Sequence, residues 1–265
     1  MKKIILGVLA IIILVAGGYM AWLFNRPVMH VLPGEFTATG QFKHTEEAQY
    51  YKIDATYPNR TALFSKWSPA ADEEARTTIE TWLQKDIEEF KRNLRVNQIS
   101  GPEKEMLDST GRKYEYDATY KPFTSANAKL ISYEYDIYID TGGAHPNGYF
   151  KTFAFDKSGN EVKLADLFPP GSEYLQRLSD ASLTQIKAQL TQRLGLPAQA
   201  GEDATASIFT EGVAPRAENF SNFVIDADTL VILFPPYQVA AYAAGTFEVR
   251  IPLSQLSDVL QPEWK

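Results

Sequence analysis

Apolar and polar side chains alternate most cleanly across residues 131–155. Ile131, Tyr133, Tyr135, Ile137 and Ile139 fall in one phase, and Ser132, Glu134, Asp136 and Tyr138 in the other, the period-two pattern of a half-buried strand. A loop holding Gly142-Gly143-Ala144-His145-Pro146-Asn147 comes next, and then the aromatic run Tyr149-Phe150-Lys151-Thr152-Phe153-Ala154-Phe155. The two limbs predict a hairpin. The same alternation predicts strands over 49–57 through Tyr51, Ile53, Ala55 and Tyr57, and over 112–120 through Tyr114, Tyr116, Ala118 and Tyr120. Residues 36–42 alternate more weakly. Late strands are expected at 221–226, 229–234 and 246–251, the first two joined by a tight turn at Asp226-Ala227-Asp228. Asp54-Ala55-Thr56-Tyr57 recurs as Asp117-Ala118-Thr119-Tyr120, too short a match to establish a repeat and readable as shared strand chemistry.

Two stretches carry the helical period instead. Ser68 is a good N-cap, Pro69 suits the first turn, and Asp72, Glu73 and Glu74 favour the positive end of the dipole. Ile79, Leu83, Ile87, Phe90 and Leu94 then form one apolar stripe, and Lys91, Arg92 and Arg95 complement the far pole. After Pro169-Pro170-Gly171, Ser172 opens a second helix whose stripe is Leu183, Ile186, Leu190 and Leu194, stopped by Gly195 and Pro197. Residues 198–206 read as a loop and 254–260 as a short closing helix. Many strands beside two long helices, without regular βαβ order, predict an α+β fold: an antiparallel β-sheet with both long helices packed on one face.

The start of the chain has a different pattern. Residues 4–24 are uncharged and largely apolar, and as a helix they reach about 31 Å, the thickness of a bilayer's hydrocarbon core. Lys2 and Lys3 should stay in the cytoplasm, so that the chain beyond Phe24 is exported. Ala16-Gly17-Gly18 offers the small residues of a cleavage site, but the apolar run continues to Phe24, so an uncleaved anchor is expected. The lipid bilayer is then a partner through residues 4–24. The chain divides into an anchor (1–26), a juxtamembrane linker with the first strand (27–48) and an extracytoplasmic domain (49–265), with a weak joint near 121. This predicts a single-pass membrane protein with its bulk outside the cytoplasm.

Charge and cysteine content narrow the function. The 265 residues carry a formal charge of −7; without the three positive charges of Lys2, Lys3 and Arg26, the remainder carries −10. An acidic exterior argues against nucleic acid and fits a basic partner. With no cysteine, the exported part has no disulfide and no lipoprotein attachment site, and it relies on its core.

Two loops hold the candidate chemistry. In the first, Gly142 and Gly143 permit positive φ, Pro146 extends the backbone at His145, and Asp140 is near enough to orient an imidazole. His145 with Asp140 is therefore a candidate general base, the core of an enzymatic reading. A zinc site needs about three protein ligands, and His30 and His44 are poorly placed to join His145. Neither a metal nor a cofactor is expected, and a structural role for His145 in bonding the turn is the simpler alternative. The second loop is Pro235-Pro236-Tyr237-Gln238-Val239-Ala240-Ala241-Tyr242. Its apolar residues cannot all serve the flanking strands. Some should pack beneath it, and Tyr237 and Tyr242 are of the type that anchors protein interfaces.

Gly142-Gly143-Ala144-His145-Pro146, then Phe155-Asp156 with Gly159 and Leu164-Ala165-Asp166-Leu167-Phe168, then residues 234–245 with Ile251-Pro252, resemble in their order one known domain family. It is the extracytoplasmic domain shared by the lysozyme-sensing anti-sigma factor RsiV and the N-terminal part of the peptidoglycan deacetylase PdaC, and the resemblance covers about residues 51–260. It implies an α+β domain outside a bacterial membrane that binds a ligand, a lysozyme-like protein or peptidoglycan. It puts Pro235, Pro236 and Tyr237 on the binding side, and Gly142, Gly143, His145, Pro146 and Tyr242 complete the expected ligand-binding set; the enzymatic alternative is a cell-wall hydrolase or deacetylase using His145 and Asp140. With three residues before the anchor and none after Lys265, neither a sigma-binding segment nor a deacetylase domain is expected. Ala241 stands where relatives often have proline.

Overall fold

The computed structural model describes residues 32–38, 40–59, 68–94, 99–194 and 210–265. The expected anchor (1–26) and the expected loop at 198–206 lie outside the described residues, among which no helix is long and apolar enough to cross a membrane. Among the described residues nine strands and three α-helices run in chain order: β1 (Glu35–Phe36), β2 (Gln41–Glu47), β3 (Tyr51–Pro58), α1 (Pro69–Asn93), α2 (Gly101–Thr110), β4 (Tyr114–Thr124), β5 (Leu130–Asp140), β6 (Asn147–Asp156), α3 (Tyr174–Leu194), β7 (Phe223–Asp226), β8 (Thr229–Phe234) and β9 (Phe247–Pro252). The fold is α+β, rich in antiparallel pairing.

Strands β1 to β6 form one sheet in sequence order, and β7 to β9 a second. Every pairing is antiparallel except β3 with β4, which are parallel and joined by a crossover through α1 and α2. That register sets Asp54 beside Asp117 and Ala55 beside Ala118. The recurring tetrapeptide thus lies on neighbouring strands in matched positions, facing the same core and the same solvent.

The expected placement of both long helices on one sheet face is corrected by the packing. Ala71, Ala75, Ile79, Leu83, Ile87 and Phe90 of α1 share a core with Ile53, Tyr57, Tyr116, Tyr133 and Tyr135 of the large sheet. Leu178, Ile186 and Leu190 of α3 instead join Ile225, Leu230, Ile232, Phe234, Val249 and Ile251 of the small sheet. The physical reason is that β7 and β8 are apolar on both faces. Their other phase, Val224, Val231 and Leu233, packs with Phe123 and Phe150 of the large sheet. The layers run α1 and α2, large sheet, small sheet, α3.

Hydroxyls stitch the two sheets together. The backbone N–H groups of Phe223 and Ile225 on edge strand β7 donate to Thr152 Oγ1 (2.9 Å) and Ser132 Oγ (3.1 Å) of the large sheet. An edge whose donors are taken by side chains is closed to pairing with another chain. Ser132 therefore belongs to the polar phase of β5 although it is fully buried. Further along that phase the small sheet stops covering the large one. Glu134 is still buried, whereas Asp136 and Tyr138 are exposed.

Candidate functional site

The open end of the large sheet meets two loops there. The hairpin loop after β5 is set by Asp140, which accepts from the Gly142 N–H at 2.8 Å and takes both oxygens to Arg112 Nη2 at 3.0 and 2.8 Å. Gly142 sits at φ +78° against the Tyr114 ring, a conformation that side-chain-bearing residues rarely adopt. Burial pushes the Asp140 carboxyl pKa upward, but the Gly142 N–H and the Arg112 guanidinium together hold it below the usual range. Asp140 is thus committed to the turn and to Arg112. His145 bonds elsewhere: its Nδ1 lies 2.8 Å from the Pro146 carbonyl.

The loop after β8 is held from below. Val239 and Ala240 are buried in the core of the small sheet, as the excess of apolar residues in this loop predicts. Gln238 Nε2 donates to the Gly212 and Asn219 carbonyls at 3.0 and 2.9 Å. Arg193, from the last turn of α3, donates to the carbonyls of Ala244 and Thr246, both at 2.7 Å, and covers the Phe247 ring. So tethered, the loop leaves Tyr237 56 % exposed. The Gln238 N–H closes onto the Pro235 carbonyl at 3.3 Å, with Pro236 and Tyr237 in the middle of the turn. Tyr237 has φ +72°, at a position where such turns favour glycine.

The two loops meet face to face. The His145 ring stacks on Tyr242 with centroids 3.8 Å apart and planes 19° from parallel. The Tyr242 hydroxyl donates to the Pro146 carbonyl at 2.7 Å, and Tyr237 Oη lies 3.1 Å from His145 Nε2. A carbonyl only accepts, so in the neutral ring Nδ1 carries the proton and Nε2 accepts from the Tyr237 hydroxyl. His145, Pro146, Tyr237 and Tyr242 are thereby brought together. Pro235 and Pro236 are half-buried behind Tyr237, and Gly143 is exposed at the hairpin tip. The expected pairing of Asp140 with His145 is not made. Asp140 serves Arg112 and the turn, and the imidazole N–H that a general base would aim at it goes to a backbone carbonyl instead.

Beside this aromatic pair lies a cleft of about 370 Å³ between Pro146, Pro236 and Tyr242 on one side and the open sheet on the other. Asp117, Thr119, Asp136 and Tyr138 form its floor. None of these four was singled out from the sequence. The available signal was Tyr138, an aromatic in the polar phase of β5. Burial raises the pKa of Asp117, and neighbouring Asp54 and Glu115 raise it further. Among the described residues no group of three or more metal-ligating side chains forms a metal site.

Comparison with known proteins adds the family. The model for Deacetylase PdaC matches residues 44–148, and that for a protein of unknown function, DUF3298, matches residues 165–254. This chain carries a PdaC/DUF3298-type domain. The two matches fall on the large-sheet half and the small-sheet half, so the PdaC/DUF3298-type domain includes both loops of the site. The peptidoglycan-N-acetylmuramic acid deacetylase PdaC of Bacillus subtilis is 27 % identical over 224 residues, 82 % of this chain and 44 % of that protein. Esterase Rv3036c of Mycobacterium tuberculosis is 24 % identical over 146 residues, 54 % of this chain and 59 % of that one. The chain thus spans about half the length of these two relatives. The crystal structure of a DUF3298 family member from Bacteroides fragilis superposes with a TM-score of 0.52 at 18 % identity, covering 88 % of this chain and 96 % of that one. One from Pseudomonas aeruginosa gives 0.52 at 15 %, covering 90 % and 98 %. Both share the fold.

Proposed function

We propose that the chain is a membrane-tethered, extracytoplasmic binding domain whose two apposed loops hold a protein ligand, a lysozyme-like hydrolase being the specific partner. The observation that carries this reading is the joint aromatic surface of His145, Tyr242 and Tyr237, built from loops far apart in sequence and topped by an exposed tyrosine. Rigid aromatic anchors of this kind dominate binding energy at protein interfaces. The backbone at Tyr237 is strained, and strain of this sort is retained where it serves a function. PdaC, by its name a deacetylase of peptidoglycan, supports a cell-wall setting. Residues 4–24 supply the tether and the −10 remainder the attraction for a basic enzyme.

The test is direct. The full chain in neutral detergent is titrated with lysozyme by calorimetry, and the remaining lytic activity is measured alongside. Binding at micromolar concentration with loss of lysis is expected. Tyr237→Ala should weaken binding by about tenfold or more, while Glu89→Ala on the exposed face of α1 leaves it unchanged. Absence of both binding and inhibition sinks the partner, and equal effects of the two substitutions sink the loop assignment.

The esterase relative favours a second reading, a cell-wall hydrolase or deacetylase. In this chain it would run through His145 without Asp140, which is engaged by Arg112. Release of soluble products from peptidoglycan by the purified chain, abolished by His145→Ala, is the outcome that would establish it.

A further inference from the structure

The cleft beside the loops has a chemistry of its own. One wall is aromatic and apolar, made by Tyr242, Pro236 and Pro146, and its floor carries Tyr138, itself 38 % exposed. An opening lined this way offers π-faces to whatever enters. The charged groups beside those faces are of one sign: Asp117 and Asp136 line the cleft, and among the described residues no lysine, arginine or histidine does. Among the described residues neither carboxylate forms an ion pair. Lys52 and Lys43 both act on Asp117, Lys43 being held by Asp54 at 2.6 Å, but they do not offset burial and the carboxylates of Asp54 and Glu115. The Tyr138 hydroxyl registers the same field, its pKa raised by burial and then by Asp140, Glu115 and Asp117.

Aromatic faces attract cations through the ring quadrupole. Asp117, already repelled by Asp54 and Glu115, gains from a cation beside it. An anionic wall polymer meets only repulsion here, and a neutral ligand leaves the carboxylates uncompensated. We propose that this cleft is a socket for the cationic end of one lysine or arginine side chain of the protein partner. The inference rests on the reading of the loops as a protein-binding surface and deepens it. The aromatic pair supplies the contact area, and the socket selects the charge. Tyr242 belongs to both, so a partner seated on the loops delivers its basic side chain directly over the sheet.

The experiment uses the full chain in neutral detergent with isotope-labelled tyrosine rings. It is titrated with Nα-acetyl-arginine amide and, separately, with the citrulline analogue, which has nearly the same shape and no charge. Saturable shifts of the Tyr138 and Tyr242 signals with the arginine compound are expected, with the citrulline compound at least about tenfold weaker. Asp117→Asn with Asp136→Asn should remove the difference between the two. No saturable shift, or equal binding of the two compounds, overturns the proposal. So does a glucosamine oligomer that binds more tightly than the arginine compound, which would make an amino sugar the occupant. Failure of lysozyme to bind the wild type counts against the partner assignment alone, because the arginine titration needs no protein partner. Lysozyme binding that is unchanged in the double carboxamide variant counts against the socket alone.

Discussion

At the scale of single residues, Tyr237 holds a conformation that costs a side-chain-bearing residue roughly 1–2 kcal/mol, at φ +72°. Glycine in its place removes the strain but also the ring and the hydroxyl bonded to His145. Tyr237→Gly is therefore expected to unfold within about 1 kcal/mol of the wild type, since the relief and the added chain entropy offset each other. Ligand binding should fall by about tenfold or more. Chemical denaturation beside a binding titration separates the two effects, and a large loss of stability would mean that the tyrosine serves the fold instead. His145 shows why residue roles were only partly readable. Its position near Asp140 in sequence suggested a dyad, but a carboxylate two residues before a glycine turn can serve that turn. Arg112, distant in sequence, then takes the remaining bonds.

At the scale of elements, periodicity sufficed wherever one face of an element is buried and the other wet. The helix starting after Ser68 and the strands from β3 onward match the predicted ones to within a few residues, with Ser68 Oγ accepting from the Ala71 N–H as a cap should. Helix α2 went unread because it has no apolar stripe. It buries Leu107 alone, and its Gly101-Pro102 start resembles a breaker, although Ser100 caps it and proline fits the first turn. The parallel β3–β4 pair depends on that unread crossover. The double-faced apolar pattern of β8 was visible, but what lies on each face is a tertiary matter that alternation does not encode. One element contact can be tested alone. A Cβ at buried Gly212 would collide with the backbone carbonyl of Gln238, the residue whose side-chain amide tethers the loop after β8. Gly212→Ala should lower stability by about 1–3 kcal/mol as the contact is overpacked, read as a fall in the thermal midpoint. An unchanged midpoint would mean that the loop is not held there.

At the scale of the molecule, the core is tyrosine-rich, with Tyr57, Tyr116, Tyr133 and Tyr135 fully buried. Tyr116 and Tyr149 both donate to the Asp86 carboxylate. Burial raises the pKa of each of these tyrosines well above the ordinary value. Tyr51, bonded to Glu46, the buried Tyr114, bonded to Glu103, and the partly buried Tyr120 are each pushed up to about 12. A phenol whose pKa is higher when folded contributes stability that is complete below the unfolded value, near 10, and is lost as pH rises through the folded one. Alkaline titration should accordingly show most tyrosinate absorbance appearing together with loss of the circular dichroism signal, in one cooperative step above about pH 10. Gradual tyrosinate formation near pH 10 in a chain that stays folded would contradict the buried core described here.

The claim that joins all three scales is that loops nearly a hundred residues apart form a single binding surface, and a double-mutant cycle tests it most directly. Lysozyme affinity is measured for the wild type, His145→Ala, Tyr237→Ala and the double variant. Residues acting as a unit should show a coupling of at least about 0.5 kcal/mol, the double variant losing less than the two single losses combined. Additive losses, or none from either substitution, would show that the loops do not act together.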